Sequence, residues 1–178
     1  MGRAAVEQLL YLMDMAFDEG QWHSLMGNLR SVTADDWLWT PPGGARTIRL
    51  LTAHVAACKY VYDNHAFGDA AMSWNDPAGD LGYGMEDLQS ESVLDNEPSI
   101  ADVVAWLSEG HRRLREHVAA LNDEELLRPR RTNKDEMKET RWIIAVMIEH
   151  DLYHAGEINH IRALRQGNDG WAGEEVLT

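Results

Sequence analysis

The sequence predicts an all-α fold, a four-helix bundle formed by a single domain over residues 1–178. Four long stretches carry apolar residues at the i, i+3, i+4 spacing of an amphipathic helix. No stretch shows the strict alternation that is typical of a half-buried strand. A long irregular segment separates the second of these helices from the third. Amphipathic helices of this kind bury their apolar faces against one another around a common core.

The first predicted helix begins near Arg3 and extends to Gly20. The apolar pattern continues as far as Arg30, but Gly20 and Gly27 disfavour an unbroken helix. The apolar residues at helical spacing are Val6, Leu9, Leu10, Met13 and Phe17. Downstream, Thr33 is the expected N-cap of a short turn, with Asp36 at the capping-box position. The Pro-Pro-Gly-Gly run at 41–44 then forces a break.

The second predicted helix begins near Thr47 and ends near Ala66. Its apolar face consists of Ile48, Leu51, Val55, Cys58 and Tyr62, and His54 lies beside that face. The segment Gly68–Pro98 has no periodicity and is long for a loop in a compact domain. We expect it to form a lid, or a partly helical excursion, over a site.

The third predicted helix is capped by Ser99 and extends to Leu121. Its apolar stripe is regular over six turns and includes His111. A short turn follows at 122–125, and a basic loop is expected at 128–134. The fourth predicted helix runs from Lys138 or Thr140 to Gln166 and ends at Gly167 by glycine capping. Its core face contains Ile143, Val146, Met147, His150, His154, Ile158 and Ile161.

Charge and composition limit the partners. The formal net charge is −14, from 30 acidic and 16 basic side chains. Such a surface repels phosphate backbones and anionic lipids, so neither nucleic acid nor a membrane is an expected partner. The expected partner is a small-molecule substrate. Cys58 is the single cysteine, no secretory signal pattern is present, and the apolar run 142–148 is too short to span a bilayer. These features favour a cytoplasmic protein.

His150 and His154 form the most informative pair in the chain. Residues four apart share a helix face, so both imidazoles can reach one ion. His54 is the best candidate for a third ligand. Three neutral imidazoles with an open position suit Zn²⁺, and also Ni²⁺, Mn²⁺ or Fe²⁺. The alternative is a pair of core histidines that protein groups satisfy.

Several neighbours of this pair have open roles. Glu157 could be a fourth ligand, a hydrogen-bond acceptor for a ligand N–H, a general base, or a carboxylate at the rim. Gly156 suggests close approach of a helix or of substrate. Tyr153 and Asp151 are expected to point away from the histidines.

Two core positions on other helices also have alternatives. His111 could line the pocket and donate to substrate, or bond to a buried carboxylate. Cys58 could be a ligand or nucleophile, but an inert core cysteine is the preferred interpretation. The remaining histidines, His23, His65, His117 and His160, are expected at the surface or rim.

Two segments resemble the DinB/YfiT-like superfamily. Trp37–Gly44 followed by Thr47–His54 is similar to the tryptophan–proline–glycine stretch and the helix start of that family, and His150–Ile158 is similar to its H-x₃-H-x-G-[EQ]-I signature. The resemblance covers almost the whole chain. It implies a four-helix bundle with a divalent-metal site on His54, His150 and His154.

The resemblance also implies a range of activities. Members include thiol-dependent S-transferases, a mycothiol-dependent maleylpyruvate isomerase and metal-dependent hydrolases. The leading expectation is therefore a thiol transferase that uses a divalent metal and a low-molecular-weight thiol, with Glu157 and His111 as catalytic candidates. Hydrolysis is the alternative. A metal-stapled binding module is a third possibility, favoured if Cys58 or Glu157 closes a four-ligand shell. Helix packing could also form a homodimer, and the oligomeric state stays open.

Overall fold

The computed structural model describes residues 2–89 and 98–170 of the chain. The helices are α1 (Ala4–Asp14), α2 (Leu25–Leu29), α3 (Ala34–Trp37), α4 (Ile48–Phe67), α5 (Met85–Gln89), α6 (Ile100–Ala119) and α7 (Thr140–Gln166). A π-helical turn at Met15–Glu19 prolongs α1. Helices α1, α4, α6 and α7 form the bundle, which confirms the predicted all-α fold.

The predicted starts of α4 and α6 are confirmed by their caps. The Thr47 hydroxyl accepts a hydrogen bond from the backbone N–H of Leu50 at 3.1 Å, at the start of α4. The Ser99 hydroxyl accepts from the Asp102 N–H at 3.1 Å, at the start of α6. These short side chains satisfy N–H groups that have no partner within the helix. At the C-terminal end of α7, Gly167 adopts a φ of 66°, which glycine accommodates without strain.

The core is divided into two apolar clusters. Along α7, Ile143, Ile144 and Met147 belong to one cluster, whereas Ala155, Ile158 and Ile161 belong to the other. The same division runs through α6, where Leu107 and Leu114 lie in different clusters. Between the two clusters the helices carry polar side chains: Lys59, His111, His150, Asp151 and His154. The bundle therefore has a polar layer near its middle.

The prediction of an irregular basic loop at 128–134 is wrong in part, because the segment contains a short strand. The expectation that the chain has no strands is wrong for the same reason. β1 (Pro129–Arg131) and β2 (Met137–Glu139) pair as an antiparallel hairpin. Strands of three residues are too short to show an alternating pattern in the sequence. Asp135, with a φ of 63°, allows the tight turn. The Arg130 guanidinium donates to the Ala66 carbonyl at the end of α4, so the hairpin is attached to the bundle.

The predicted excursion between α4 and α6 is partly helical, as expected. A 3-10 turn at Pro77–Leu81 precedes α5, and Ala78, Met85 and Leu88 are buried in the cluster that contains Leu51. The Trp74 ring lies 5.6 Å from the His54 ring, so this segment reaches the predicted site. Residues 90–97 of the segment lie outside the described part of the chain.

Within residues 2–89 and 98–170, no helix is both long enough and apolar enough to cross a membrane.

Candidate metal centre

Three histidine side chains converge between α4 and α7. The Nε2 atom of His150 lies 3.1 Å from Nε2 of His54 and 3.2 Å from Nε2 of His154. Zinc binds imidazole nitrogen at about 2.0–2.1 Å, and a tetrahedral arrangement then separates two ligand nitrogens by about 3.3 Å. The two observed separations, both measured from Nε2 of His150, are close to that value. The structure thus brings together the three residues that the sequence predicted as metal ligands.

Hydrogen bonds between the histidines cannot give all three Nε2 atoms a partner. A neutral imidazole has one N–H donor and one acceptor nitrogen. The Nε2 atom of His150 faces two other Nε2 atoms and can donate to one of them at most. In addition, Nδ1 of His150 is buried without a hydrogen-bond partner in the described structure. A cation at the point of convergence would engage all three Nε2 lone pairs, so the donor set fits a divalent metal.

The electrostatic surroundings keep these rings neutral. Burial, with smaller contributions from neighbouring positive charge, lowers the pKa of His54 to about 4 and that of His150 to about 3. Burial also lowers the pKa of His154, although the adjacent Glu157 carboxylate opposes that shift. Neutral imidazoles have the lone pair that metal coordination needs.

Glu157 contacts the histidine cluster through His154. Its Oε2 atom lies 2.6 Å from Nδ1 of His154, and its Oε1 atom accepts from Arg46 at 3.1 Å. A carboxylate in this position holds the imidazole proton on Nδ1 and leaves the Nε2 lone pair for an ion. Carboxylate partners of this kind are common behind metal-binding histidines. The contact is that of a hydrogen-bond acceptor, one of the four roles open to Glu157 from the sequence.

Cys58 provides a second, overlapping set of possible ligands. Its Sγ atom lies 3.8 Å from Nε2 of His54, and the ligand atoms of His54, Cys58 and His150 all lie within 4.8 Å of one another. This group could bind a metal. Burial raises the pKa of the Cys58 thiol to about 12, whereas the histidines are already deprotonated. The distances allow Cys58 as a ligand, in contrast to the preferred interpretation of an inert core cysteine.

An open cavity lies against two of the three histidines. Its volume is about 480 Å³, and its lining residues are Arg46, Leu50, Leu51, His54, Tyr153 and His154. A volume of a few hundred Å³ is typical of small-molecule sites. Tyr153 is 64% exposed and packs edge-on against the His154 ring, so the expectation that it points away from the histidines is wrong. The tyrosine follows His150 by three residues, a spacing that places it near the same face.

His111 is not brought to this cluster. Its ring stacks on Phe17 at 3.7 Å and lines a different cavity, of about 240 Å³, beside the π-helical turn. Burial lowers its pKa to about 2, and its Nδ1 atom has no hydrogen-bond partner among the described residues. The predicted contact with a buried carboxylate is therefore not found either. Its position in the core stripe of α6 gave no information on which cavity it would face.

Gly156 and Asp151, two other neighbours of the histidines, have surroundings that the sequence predicted only in part. A Cβ atom built on Gly156 meets nothing within 4 Å, so the predicted close approach of a neighbouring helix is wrong. Asp151 does point away from the histidines, as expected, and it forms a buried ion pair with Lys59 at 2.7 Å. Sequence reasoning missed Lys59, although a lysine inside the apolar run 55–62 is a usable signal. Of the remaining histidines, His23, His117 and His160 are exposed and His65 is half-buried.

A comparison with protein families identifies the superfamily of the chain. The family description of the DinB superfamily matches residues 18–158, which include α4, α6 and all three converging histidines. No curated protein matches the chain. The family match extends over more than half of the sequence. The chain therefore belongs to the DinB superfamily.

Proposed function

We propose that this protein is a divalent-metal-dependent enzyme whose ion is held by His54, His150 and His154. The observation that carries the proposal is that Nε2 of His150 lies 3.1 Å from Nε2 of His54 and 3.2 Å from Nε2 of His154, beside an open cavity that His54 and His154 line. A metal site that serves only stability is usually closed by four protein ligands, whereas a catalytic site keeps a position for substrate. Zinc suits three imidazoles best, and nickel, manganese and iron suit the same donors.

Thiol transfer is the reaction class that we favour. A divalent metal at this site would lower the pKa of a thiol or a water molecule at its open position. In the transfer, the S–H proton passes to a base and the sulfur forms a bond to an electrophilic carbon. The bond from that carbon to its leaving group breaks, and the leaving group departs with the electron pair. The cytoplasm expected from the sequence keeps small thiols reduced, as this chemistry requires.

The chain's own residues have distinct tasks in this proposal. Glu157 holds the proton of His154 on Nδ1, so that Nε2 always presents a lone pair. Its partly exposed carboxylate, at the edge of the cavity, is also an acceptor for the thiol proton. Leu50 and Leu51 provide an apolar wall that supports the body of the substrate and displaces water. Displacing water strengthens the electrostatic interactions inside the cavity.

Metal content is the first test. The protein is prepared without added metal, and its bound metals are measured beside those of the His150→Ala/His154→Ala double variant. His160→Ala is the matched control, because His160 is exposed on the same helix. We expect metal in the wild type and the control, and none in the double variant. Equal metal content in all three proteins would refute the proposal.

Thiol binding is the second test, and it separates transfer from hydrolysis. Cobalt replaces the native ion, and small thiols are added while the visible spectrum is recorded. A new sulfur-to-cobalt absorption band with a free thiol supports thiol transfer. If no thiol changes the spectrum of the cobalt protein, the thiol-transferase proposal fails, and hydrolysis with water at the open position becomes the better candidate.

A further inference from the structure

The cavity beside the histidine cluster has a cationic side chain in its wall. Among the described residues that line it, Arg46 alone has a permanent positive charge. The whole chain has a formal net charge of −14, so a cation inside the candidate site runs against the general charge of the protein. A local positive charge of this kind attracts anionic ligands that the rest of the surface repels.

Arg46 is held in place but retains capacity for a ligand. Glu157 accepts one hydrogen bond from its guanidinium at 3.1 Å, and the Arg46 side chain is 55% exposed. A guanidinium has five N–H donors, and two of them can bind one carboxylate side by side. The existing contact therefore orients the guanidinium toward the cavity without using all of its donors.

The position of Arg46 relative to the histidines limits the size of the ligand. Arg46 contacts Glu157, and Glu157 contacts His154, so one carboxylate and one imidazole ring separate the guanidinium from the point of convergence. Leu50 and Leu51 line the same cavity as Arg46 and His54, and they provide an apolar part of its wall. Arg46 also directly precedes the N-cap of α4, and the positive end of that helix dipole adds to the attraction for an anion.

We propose that the cavity binds a small molecule through a carboxylate on Arg46, with an apolar linker along Leu50 and Leu51 and its reacting group at the histidine cluster. The substrate class is thus a short-chain carboxylic acid with a nucleophilic or electrophilic group at its other end. The identity of the reacting group rests on the proposed function, whereas the carboxylate site on Arg46 does not.

The test uses ω-mercaptocarboxylates, from 3-mercaptopropionate to 6-mercaptohexanoate, and the corresponding neutral amides. Each is titrated into the cobalt-loaded protein, and its Kd is obtained from the sulfur-to-cobalt absorption. The variants are Arg46→Gln, which removes the charge, and Arg46→Lys, which keeps it. Arg141→Gln is the matched control, because Arg141 is exposed on α7 and pairs with Glu139 away from the cavity.

We expect the best acid to bind about tenfold more tightly than its amide in the wild type and in Arg141→Gln. Arg46→Gln should reduce this ratio to about one, and Arg46→Lys should preserve part of it. The ratio of acid to amide cancels any change that Arg46→Gln causes at the metal through Glu157. A ratio near one in the wild type, or a preference for the acid that survives in Arg46→Gln, would overturn the proposal.

Failure of the thiol chemistry can be distinguished from failure of the anion site. If no thiol gives an absorption band, hexanoate and hexanamide are compared by calorimetry on the same proteins. Tighter binding of hexanoate that requires Arg46 supports the carboxylate site, although the thiol-transferase proposal has failed. Equal binding of the two compounds overturns the carboxylate site itself.

Discussion

Two polar clusters lie side by side between α4 and α7, and they differ in how their polar atoms are satisfied. Asp151 pairs with Lys59 at 2.7 Å, and the two side chains are only 3% and 1% exposed. The Nε2 atom of the neighbouring His150 faces the Nε2 atoms of His54 and His154. In the first cluster opposite charges pair, although Oδ1 of Asp151 has no hydrogen-bond partner among the described residues. The second cluster has no opposite charge among its ring nitrogens and borders a cavity. Under the proposed function, the ion pair supports the fold and the histidines hold the metal ion.

Breaking the ion pair should give the largest effect on stability. Lys59→Met leaves the Asp151 carboxylate buried without its partner, and we expect a loss of about 3–5 kcal/mol in the free energy of unfolding. The double variant Lys59→Met/Asp151→Leu removes both charges and should regain most of that loss. Denaturant unfolding of the metal-free proteins measures both effects.

The same double variant sharpens the comparison between the clusters. Because the ion pair is assigned to the fold, the double variant should bind metal with an affinity within about tenfold of the wild type. An affinity as low as that of a histidine-ligand variant would instead assign Lys59 and Asp151 to the site.

Removal of one converging histidine should have the next largest effect. The quantity that changes is the affinity for the metal. Structural zinc sites gain about 10–16 kcal/mol from four ligands, which is about 2.5–4 kcal/mol for each. His150→Ala should therefore weaken binding by about 60- to 900-fold, as measured by competition with a chromogenic chelator. His160→Ala should bind like the wild type, and a similar loss in both variants would mean that the effect is not specific to the site.

Substitution of Glu157 should have an intermediate effect on metal affinity. Glu157→Ala removes the acceptor that orients His154 and also releases Arg46. We expect metal affinity to fall about 10–100-fold, the range observed for carboxylates behind ligand histidines. Glu157→Gln keeps an acceptor oxygen and should lose less. If the two variants lose metal equally, the negative charge rather than the hydrogen bond of Glu157 is what matters.

Cys58 should have the smallest effect on metal binding. With three histidines as ligands, Cys58→Ala should change metal affinity by about threefold or less, since the thiol is then only a core side chain. The cobalt-loaded wild type should show no sulfur-to-cobalt band before a thiol is added. A strong band in the resting protein, lost in Cys58→Ala, would show that Cys58 is a ligand and would favour the closed, structural site.

Local signals explain how much of the fold was predictable. Thr47, Ser99 and Gly167 mark helix ends through contacts within one turn, so their residue types were enough. The spacing of His150 and His154 likewise placed both on one face. The hairpin at 129–139 was missed because its strands are short and a distant contact from Arg130 to Ala66 attaches it to the bundle.

Contacts between distant segments explain what the sequence did not predict at the site. Asp151 meets Lys59 across 92 positions, and Arg46 meets Glu157 across 111. No local pattern selects such partners. His111 shows the converse: its stripe correctly predicted burial, but the cavity it lines depends on the packing of the π-helical turn around Phe17.

The 96 positions between His54 and His150 also have a consequence for the life of the protein in the cell. Under the proposed function, an ion shared by α4 and α7 would tie together two distant parts of the chain, and it would bind the folded chain far better than the unfolded one. At a free metal concentration of 100 times Kd, that preference adds about 2.7 kcal/mol to the free energy of unfolding. Chain turnover by proteases, which act on the unfolded form, should then depend on metal supply, so metal starvation would lower the amount of the protein as well as its activity.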